Sequence, residues 1–465
     1  MQDCQNSTFW RAISKYSYFV IEAAFHICEK VAFFLGKKGR LSLDVECDGF
    51  SNWRSGDMST IVVKFGGPAI ATPEKIEQAA ERIIEQKKQG FNVIVVISSM
   101  APIRRELRQF AADISDEPSK REMDVLISTG AQMTSALLAM AIQERGYHAT
   151  SLAGWQAGIS TDGLHRNARV EHVETARIID HLQRDEIVVV AGFQGLDRAW
   201  DITTLGKGGS ETTAVALAVA IGAERVDIYT NVDGIYTADP AVVTKARKLK
   251  ELSYDEMLEL SNLGAHILHP RAVELAKKYA MPIIVRSSVT DVEGTLLKGD
   301  VEMEKNLIVR GVAYEADVIR LTIGYDSYEA ASLAEIFSVL AEQGINVDII
   351  VQAIIDGVNP TISFTIAKEE FAEALRVLES SKVSLGFSFA DFEVGLAKVS
   401  IVGSGMVSNP GVAARMFDRL RKEHIPVKMV STSEIKVSVV VPQDDMVRAA
   451  NALHDEFNLA EKAIV

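Results

Sequence analysis

From residue 60 onward, strand-length apolar runs alternate with helix-patterned segments, and this alternation restricts the fold more than any other feature of the chain. Residues 60–65 read as a strand. Thr72 caps the helix that follows, with Pro73 at its first position and Glu74 in its first turn. Ile76, Ala79, Ala80, Ile83 and Ile84 recur at helical spacing, and Gly90 closes that helix. Residues 92–98 form an almost wholly apolar strand, as expected where helices cover both faces of a sheet. A helix over 133–143, a strand over 187–191, a helix over 212–221 and a strand over 226–230 continue the series. The pattern predicts a doubly wound α/β domain with a largely parallel sheet, spanning residues 58–298.

The order changes after that. Residues 306–314, 318–323, 331–343 and 347–353 read as strand, strand, helix and strand, and 361–366 adds another strand. Residues 397–402, 413–423, 427–431, 436–441 and 445–457 repeat a βαββα order. Two ferredoxin-like βαββαβ modules are expected, at 299–395 and 396–465, with strand 306–314 completing the second. Modules of this kind behind a catalytic domain imply ligand control or an oligomer interface.

Two glycine-rich loops carry the chemistry. Lys64-Phe65-Gly66-Gly67 follows the run Ile61-Val62-Val63, so an ammonium and bare backbone N–H groups sit at a strand end. Leu205-Gly206-Lys207-Gly208-Gly209-Ser210-Glu211-Thr212-Thr213 opens into an Ala/Val/Leu helix, whose N-terminus suits an anion. Either loop alone is a tight turn; together they point to phosphoryl transfer.

A net charge of -14 excludes nucleic acid or an anionic membrane as the main partner. The three cysteines, Cys4, Cys28 and Cys47, all precede the first glycine loop, so the main body holds no disulfide framework and fits a reducing cytoplasm. Residues 9–35 form an aromatic-rich helical stretch interrupted by Glu22, His26, Glu29 and Lys30, which disfavours a membrane span. That stretch reads either as a docking helix or as sequence upstream of a true start at Met58, and the second reading is preferred. His165, His269 and His454 show no metal-ligand spacing, so no protein-held metal is expected. The basic run 245–250 reads as a solvated loop.

Taken together, these stretches resemble the aspartate kinase family, with an amino-acid-kinase domain and two ACT domains. The resemblance covers residues 58–465 and rests on Lys64–Gly67, Arg121-Glu122-Met123-Asp124-Val125, Gln156-Ala157-Gly158-Ile159 and Ala191-Gly192-Phe193-Gln194-Gly195. It extends through Thr203-Thr204-Leu205-Gly206, the run from Val232-Asp233-Gly234 to Asp239-Pro240, His269-Pro270-Arg271-Ala272 and Ser431-Thr432-Ser433-Glu434-Ile435. It implies transfer of the ATP γ-phosphate to the side-chain carboxylate of aspartate, with Mg2+ arriving on the nucleotide. It also implies Lys64 and Glu211 as catalytic residues. Nucleotide contacts are implied at Lys64, Phe65, Gly66, Gly67, Ser98, Thr230, Asn231, Tyr236 and His266. Acceptor contacts are implied at Arg104, Ala131, Lys207, Gly208, Gly209 and Ser210.

Several of these positions depart from the family pattern. The hydroxyl pair after the first loop is Pro68-Ala69, the acceptor-holding threonine is Arg104, and the glutamate for the substrate ammonium is Ala131. The carboxylate-gripping arginine is Lys207, which loses the bidentate fork, and the catalytic-loop aspartate is Glu211. On the nucleotide side, Asn231, Ala241 and His266 replace an aspartate, an arginine and a lysine. The first module has Asp326-Ser327-Tyr328-Glu329-Ala330 where the family has an Asp-x-Pro-Gly loop and Gln352-Ala353 for a Gln-Asn pair, while the second keeps Asn409-Pro410-Gly411. The expectation is therefore a carboxylate kinase with a degraded or re-specified acceptor site. A catalytically silent paralogue serving as a regulatory or ligand-binding subunit is the alternative, and a purely structural assembly module is a third. Expected partners are ATP, a small amino-acid acceptor, an amino-acid effector, and either a second copy through the ACT modules or an active paralogue.

Overall fold

The first domain runs β1 (Thr60–Phe65), α1 (Pro73–Lys88), β2 (Asn92–Ile97), α2 (Ala101–Ile114), α3 (Lys120–Glu144), β3 (Ala149–Leu152), β4 (Ile159–Thr161), β5 (Val170–Val173) and α4 (Ala176–Gln183). It continues β6 (Ile187–Ala191), β7 (Gln194–Leu196), β8 (Ile202–Thr204), α5 (Gly209–Ile221), β9 (Arg225–Thr230), β10 (Glu251–Ser253), α6 (Tyr254–Asn262), α7 (Pro270–Lys278), β11 (Ile283–Ser287) and β12 (Thr295–Lys298). This computed structural model describes residues 59–262, 267–299, 308–326, 332–355, 359–406 and 409–460. The expected helix over 9–35 and the start at Met58 lie outside the described residues, as does His266.

Eight strands form one sheet in the order β10-β12-β11-β9-β1-β2-β6-β3, parallel throughout except where β11 meets β12. Period-two alternation in β1 decides where the first loop's lysine goes. Ile61, Val63 and Phe65 pack against Ile76, Ile83 and Leu138 of α1 and α3. Val62 points the other way, into the core shared with Leu217 of α5, and Lys64 follows it to that face. Thr72 caps α1 by accepting from the Lys75 N–H, as its sequence predicts.

α3 is more than twice the length expected from residues 133–143. Ser119 starts it by accepting from the Glu122 N–H, a cap whose Ser-x-x-Glu pattern is visible in the sequence. Buried Asp124 and Ser128 interrupt the apolar stripe in the first half, which hides the helix from a periodicity reading. By length and composition α3 would cross a membrane, yet Leu138 and Ile142 lie in the domain core. A second sheet, β5-β4-β7-β8, built of strands of three or four residues, escaped the sequence reading altogether. It delivers Thr204 to the start of the second glycine loop.

The remaining elements are β13 (Gly311–Gly324), α8 (Leu333–Glu342), β14 (Ile350–Ile355), β15 (Asn359–Ala367), α9 (Phe371–Ser380), β16 (Phe389–Val402), α10 (Val412–Lys422), β17 (Met429–Thr432), β18 (Lys436–Pro442) and α11 (Met446–Glu456). Where two strands were expected at 306–314 and 318–323, one strand of 14 residues runs from Gly311 to Gly324 with a bulge between Glu315 and Val318. Its first half pairs with the end of β16, and its second half lies between β15 and the start of β16. The two modules thus share β13 and β16 within a single antiparallel sheet, β14-β15-β13-β16-β18-β17. Lys398, 4% exposed, marks the bulge and is pinned by Glu315 at 2.6 Å and by Asp348.

Candidate active site

Lys64 reaches the α5 face and meets the helix where its dipole is positive. Its Nζ lies 2.9 Å from Glu211 Oε1 in the first turn of α5, and both side chains are largely buried. Glu211 Oε2 accepts the backbone N–H of His269 at 2.7 Å, so one carboxylate ties β1, α5 and the start of α7 together. Gly208 permits this closure: it has φ 73°, and a Cβ there would lie 2.1 Å from the His269 ring. Burial pushes the His269 imidazole below its ordinary pKa; Glu211 opposes the shift, while Arg271 and Lys207 add to it.

The other first-loop residues frame the same opening. The Gly66 N–H donates to the Tyr229 carbonyl at 3.4 Å, and a Cβ on Gly66 would come within 3.4 Å of Lys64 Nζ. Phe65 stacks on Tyr229 with ring centroids 4.8 Å apart, which locks β1 to β9. Gly67 sits against the Ser99 carbonyl, and the Ser98 N–H donates to the Phe65 carbonyl at 3.2 Å. Ser210 is buried beneath the second loop, Ala131 is 2% exposed on α3, and Lys207 and Arg104 are exposed.

A cavity of about 770 Å³ opens beyond the carboxyl ends of β9 and β11, the edge where ligands bind in open α/β sheets. Asn231 and Tyr236 line it, with apolar walls from Ile235, Val289 and Val312. Thr230 borders it and donates its hydroxyl to Asn231 Oδ1 at 3.1 Å. Tyr236 donates to Asp233 at 2.9 Å, and Asp233 also receives Lys248 at 3.3 Å. The basic run is therefore not merely solvated: Lys248 braces the cavity, and Lys245 reaches Asp455 of α11 at 3.0 Å. Tyr314 of β13 lines the cavity from the regulatory sheet and donates to Asp239 Oδ2 at 2.8 Å; burial and that carboxylate push its phenol up to about 12.

Thr237 joins this cavity to the sheet behind it. Its carbonyl accepts the Val312 N–H at 2.7 Å. Its hydroxyl accepts from the Arg247 N–H at 2.9 Å and donates to the Leu459 carbonyl, so the His454 Nε2 at 2.9 Å must be the donor of that pair. His454 Nδ1 is then left bare, buried and without a partner, and burial holds the imidazole below its ordinary pKa.

Comparisons with known proteins bear on the family and the fold. The profile of the amino acid kinase family matches residues 59–287, and the ACT domain profile matches 332–381 and 399–457. An aspartokinase of Bacillus sp. (strain MGA3) is 53% identical over 407 residues, covering 88% of this chain and 99% of its own length. Aspartokinase 2 of Bacillus subtilis (strain 168) is 53% identical over 404 residues, covering 87% and 99%. This chain belongs to the aspartokinase family. The family fold is matched by a crystal structure of E. coli aspartokinase III in complex with aspartate and ADP, with TM-score 0.71 at 24% identity over 85% of this chain and 99% of that one. Members of the aspartokinase family are phosphotransferases, and the ACT modules of this chain are those of that family. Among the described residues there is no cluster of three or more acidic, histidine or cysteine side chains that could hold a metal ion.

The sequence reading missed three residues that structure this region: Thr237, His269 as the partner of Glu211, and Tyr314. His269 and Thr237 stood inside motifs that carried the resemblance, so a signal was present without a role. Tyr314 had none, because only the bulged strand brings it to Asp239.

Proposed function

We propose that this chain is an ATP-dependent carboxylate kinase of the aspartate kinase type, acting in the cytoplasm, whose acceptor site has been rebuilt. The Lys64–Glu211–His269 arrangement carries this reading, because it places a buried ammonium at the end of β1 beside the N-terminus of α5, while a cavity of nucleoside size opens beyond the end of the neighbouring strand β9. On this reading Lys64, with the N–H group of Gly67, neutralises phosphate charge as ATP with Mg2+ binds, and Glu211 holds the ammonium in place meanwhile. The adenosine occupies the cavity of Asn231 and Tyr236. Positioning does most of the work in such a transfer, so a Lys64 locked by Glu211 suits it. ADP release and hydroxylamine trapping of acyl phosphate from the full chain test the reading, with Lys64→Ala as control. Absence of any trapped acyl phosphate from every acid offered would sink it.

The joint replacements at Ala131, Asn231 and Ala241 favour a second reading, a regulatory subunit for an active paralogue. The sheet edges β14 and β17 present exposed Ile350, Val351 and Val430, which suit a second chain, whether a copy or a paralogue. By analogy with the crystal structure of E. coli aspartokinase III in complex with lysine and aspartate, 25% identical with TM-score 0.68, these modules take an amino-acid effector.

A further inference from the structure

Part of the wall of the nucleoside-sized cavity comes from the regulatory sheet, and neither the motifs of the kinship nor the Lys64 arrangement accounts for its polar group. Tyr314 of β13 lies outside every stretch on which the resemblance rests, yet it lines the cavity together with Val312 and Ala313. Val312 and Tyr314 share one face of the strand. The Val312 N–H donates to the Thr237 carbonyl at 2.7 Å, so β13 is bonded directly to the segment that supplies Ile235, Tyr236 and Asp239 to the same cavity. The Tyr314 ring packs on a buried cluster that includes Val399 and Met416, and Val399 is also its partner across the strands. The phenol is therefore a fixed part of the cavity, brought there by the sheet.

What this phenol offers a ligand depends on where its proton goes. A carboxylate only accepts, so the Tyr314 hydroxyl donates to Asp239 Oδ2 at 2.8 Å. Asp239 is itself held, because its Oδ1 accepts the Ala241 N–H at 2.9 Å. Burial, then Asp239, push the phenol up to about 12, so its proton stays in place at neutral pH. Tyr236 repeats the arrangement by donating to Asp233 at 2.9 Å. With both protons committed, the two phenol oxygens have only lone pairs left for a ligand. Ile235 and Val312 beside them are apolar, which suits a flat ring.

A purine can meet such an oxygen with an exocyclic amine or with a carbonyl. Adenine carries an amine where hypoxanthine carries a carbonyl oxygen, and the two rings match in size. An oxygen that can only accept takes an N–H from the amine. Against the carbonyl it sets lone pair against lone pair and leaves two acceptors unpaired out of water. The frame orients the nucleoside. Its phosphates belong at Lys64 and Gly67 at the end of β1, and Asn231 follows β9, the strand paired with β1. The ribose then lies on the Asn231 side, and the base reaches β13.

We propose that Tyr314 selects the nucleotide by accepting, at its Oη, an N–H from the exocyclic amine of the base, so that a residue of the regulatory sheet reads the base. This deepens the carboxylate-kinase reading and rests on it for the seat of the nucleoside. Asp239 acts through Tyr314 as a positioning residue: it takes the phenol proton and so makes the oxygen an acceptor.

Calorimetric titration of the full chain with magnesium and either ADP or inosine diphosphate tests the selection. Inosine diphosphate is expected to bind about tenfold more weakly than ADP, or weaker still. Tyr314→Phe keeps the ring and removes the oxygen, so the preference for ADP should shrink to about threefold or less. Asp239→Asn separates this role from a structural one. Its Oδ1 can keep the Ala241 N–H, while its Nδ2 donates to Tyr314 Oη and turns the phenol proton loose for the ligand. The ratio of affinities should then swing toward inosine diphosphate by about tenfold, whereas loss of a merely structural contact would weaken both nucleotides alike. Equal affinity for the two nucleotides in the unaltered chain, or a preference for ADP that persists in both variants, overturns the proposal and leaves the nucleotide reading standing. Binding of neither nucleotide to the unaltered chain removes both.

Discussion

Around Thr237 the cavity beyond β9 is held by hydrogen bonds that cross into the regulatory sheet and the C-terminal helix, whereas among the described residues the glycine loop at 205–210 closes on elements of its own domain. The first region has a neutral, apolar lining with its polar groups paired: Tyr236 to Asp233, Tyr314 to Asp239. The second is tied by a single bridging carboxylate, Glu211, between the Lys64 ammonium and the His269 N–H. The contrast separates two tasks. On the proposed reading, the nucleotide side is the one hydrogen-bonded to the ACT sheet, and the acceptor side is the one that is not.

The strongest way to break this comparison is Lys64→Ala, since Lys64 stands where the two sides meet. Turnover is expected to fall by about a hundredfold to a thousandfold, as when one transition-state donor is lost, with ADP release as the measurement. A smaller fall would mean that the junction is not catalytic. Next comes Thr237→Val, which keeps the shape and strands the Arg247 N–H and the His454 Nε2–H. A loss of about 1–3 kcal/mol per stranded donor is expected in denaturant unfolding, together with weaker ATP binding. Unchanged ATP affinity would detach the nucleotide side from the regulatory sheet.

Gly208→Ala sharpens the acceptor side, because the left-handed backbone and the His269 ring both oppose a Cβ. About 1–3 kcal/mol of strain is expected, read as a raised acceptor KM with ATP affinity preserved. A pH series isolates His454. Its folded pKa is depressed, so the unfolded chain binds the extra proton first. Its contribution to stability is full above the unfolded value near 6.5 and drains away as pH falls through that value toward the folded one. His454→Gln should flatten this part of the stability–pH curve; an unaltered slope would assign it to other groups. The smallest effect belongs to Thr72→Ala, about 1 kcal/mol from a lost helix cap and remote from both sides. Thermal unfolding should register it while kinetics stay constant.

Much of the parallel sheet was legible because its strands are continuous apolar runs and its helices carry caps and regular stripes. β1, β2, β6, α1 and α5 emerge from residues whose local preference and burial agree. α3 was legible only in its second half, since Asp124 and Ser128 are buried for their hydrogen bonds rather than for hydrophobicity. β4, β5, β7 and β8 were not legible, being too short for a two-residue period to show. The same divide runs through the site. Lys64, Glu211 and the glycines were readable from spacing and kinship, while Thr237 and Tyr314 find their partners only in space, through the bulged strand and the C-terminal helix.

Because β13 and β16 each lend one half to either ACT module, neither module owns a complete set of strands. Cutting the gene between them would leave two open sheets, each missing an inner ladder. Recombination can therefore exchange this pair only as a unit, and a ligand that shears one end of β13 reaches the other end through the bulge at Glu315–Val318.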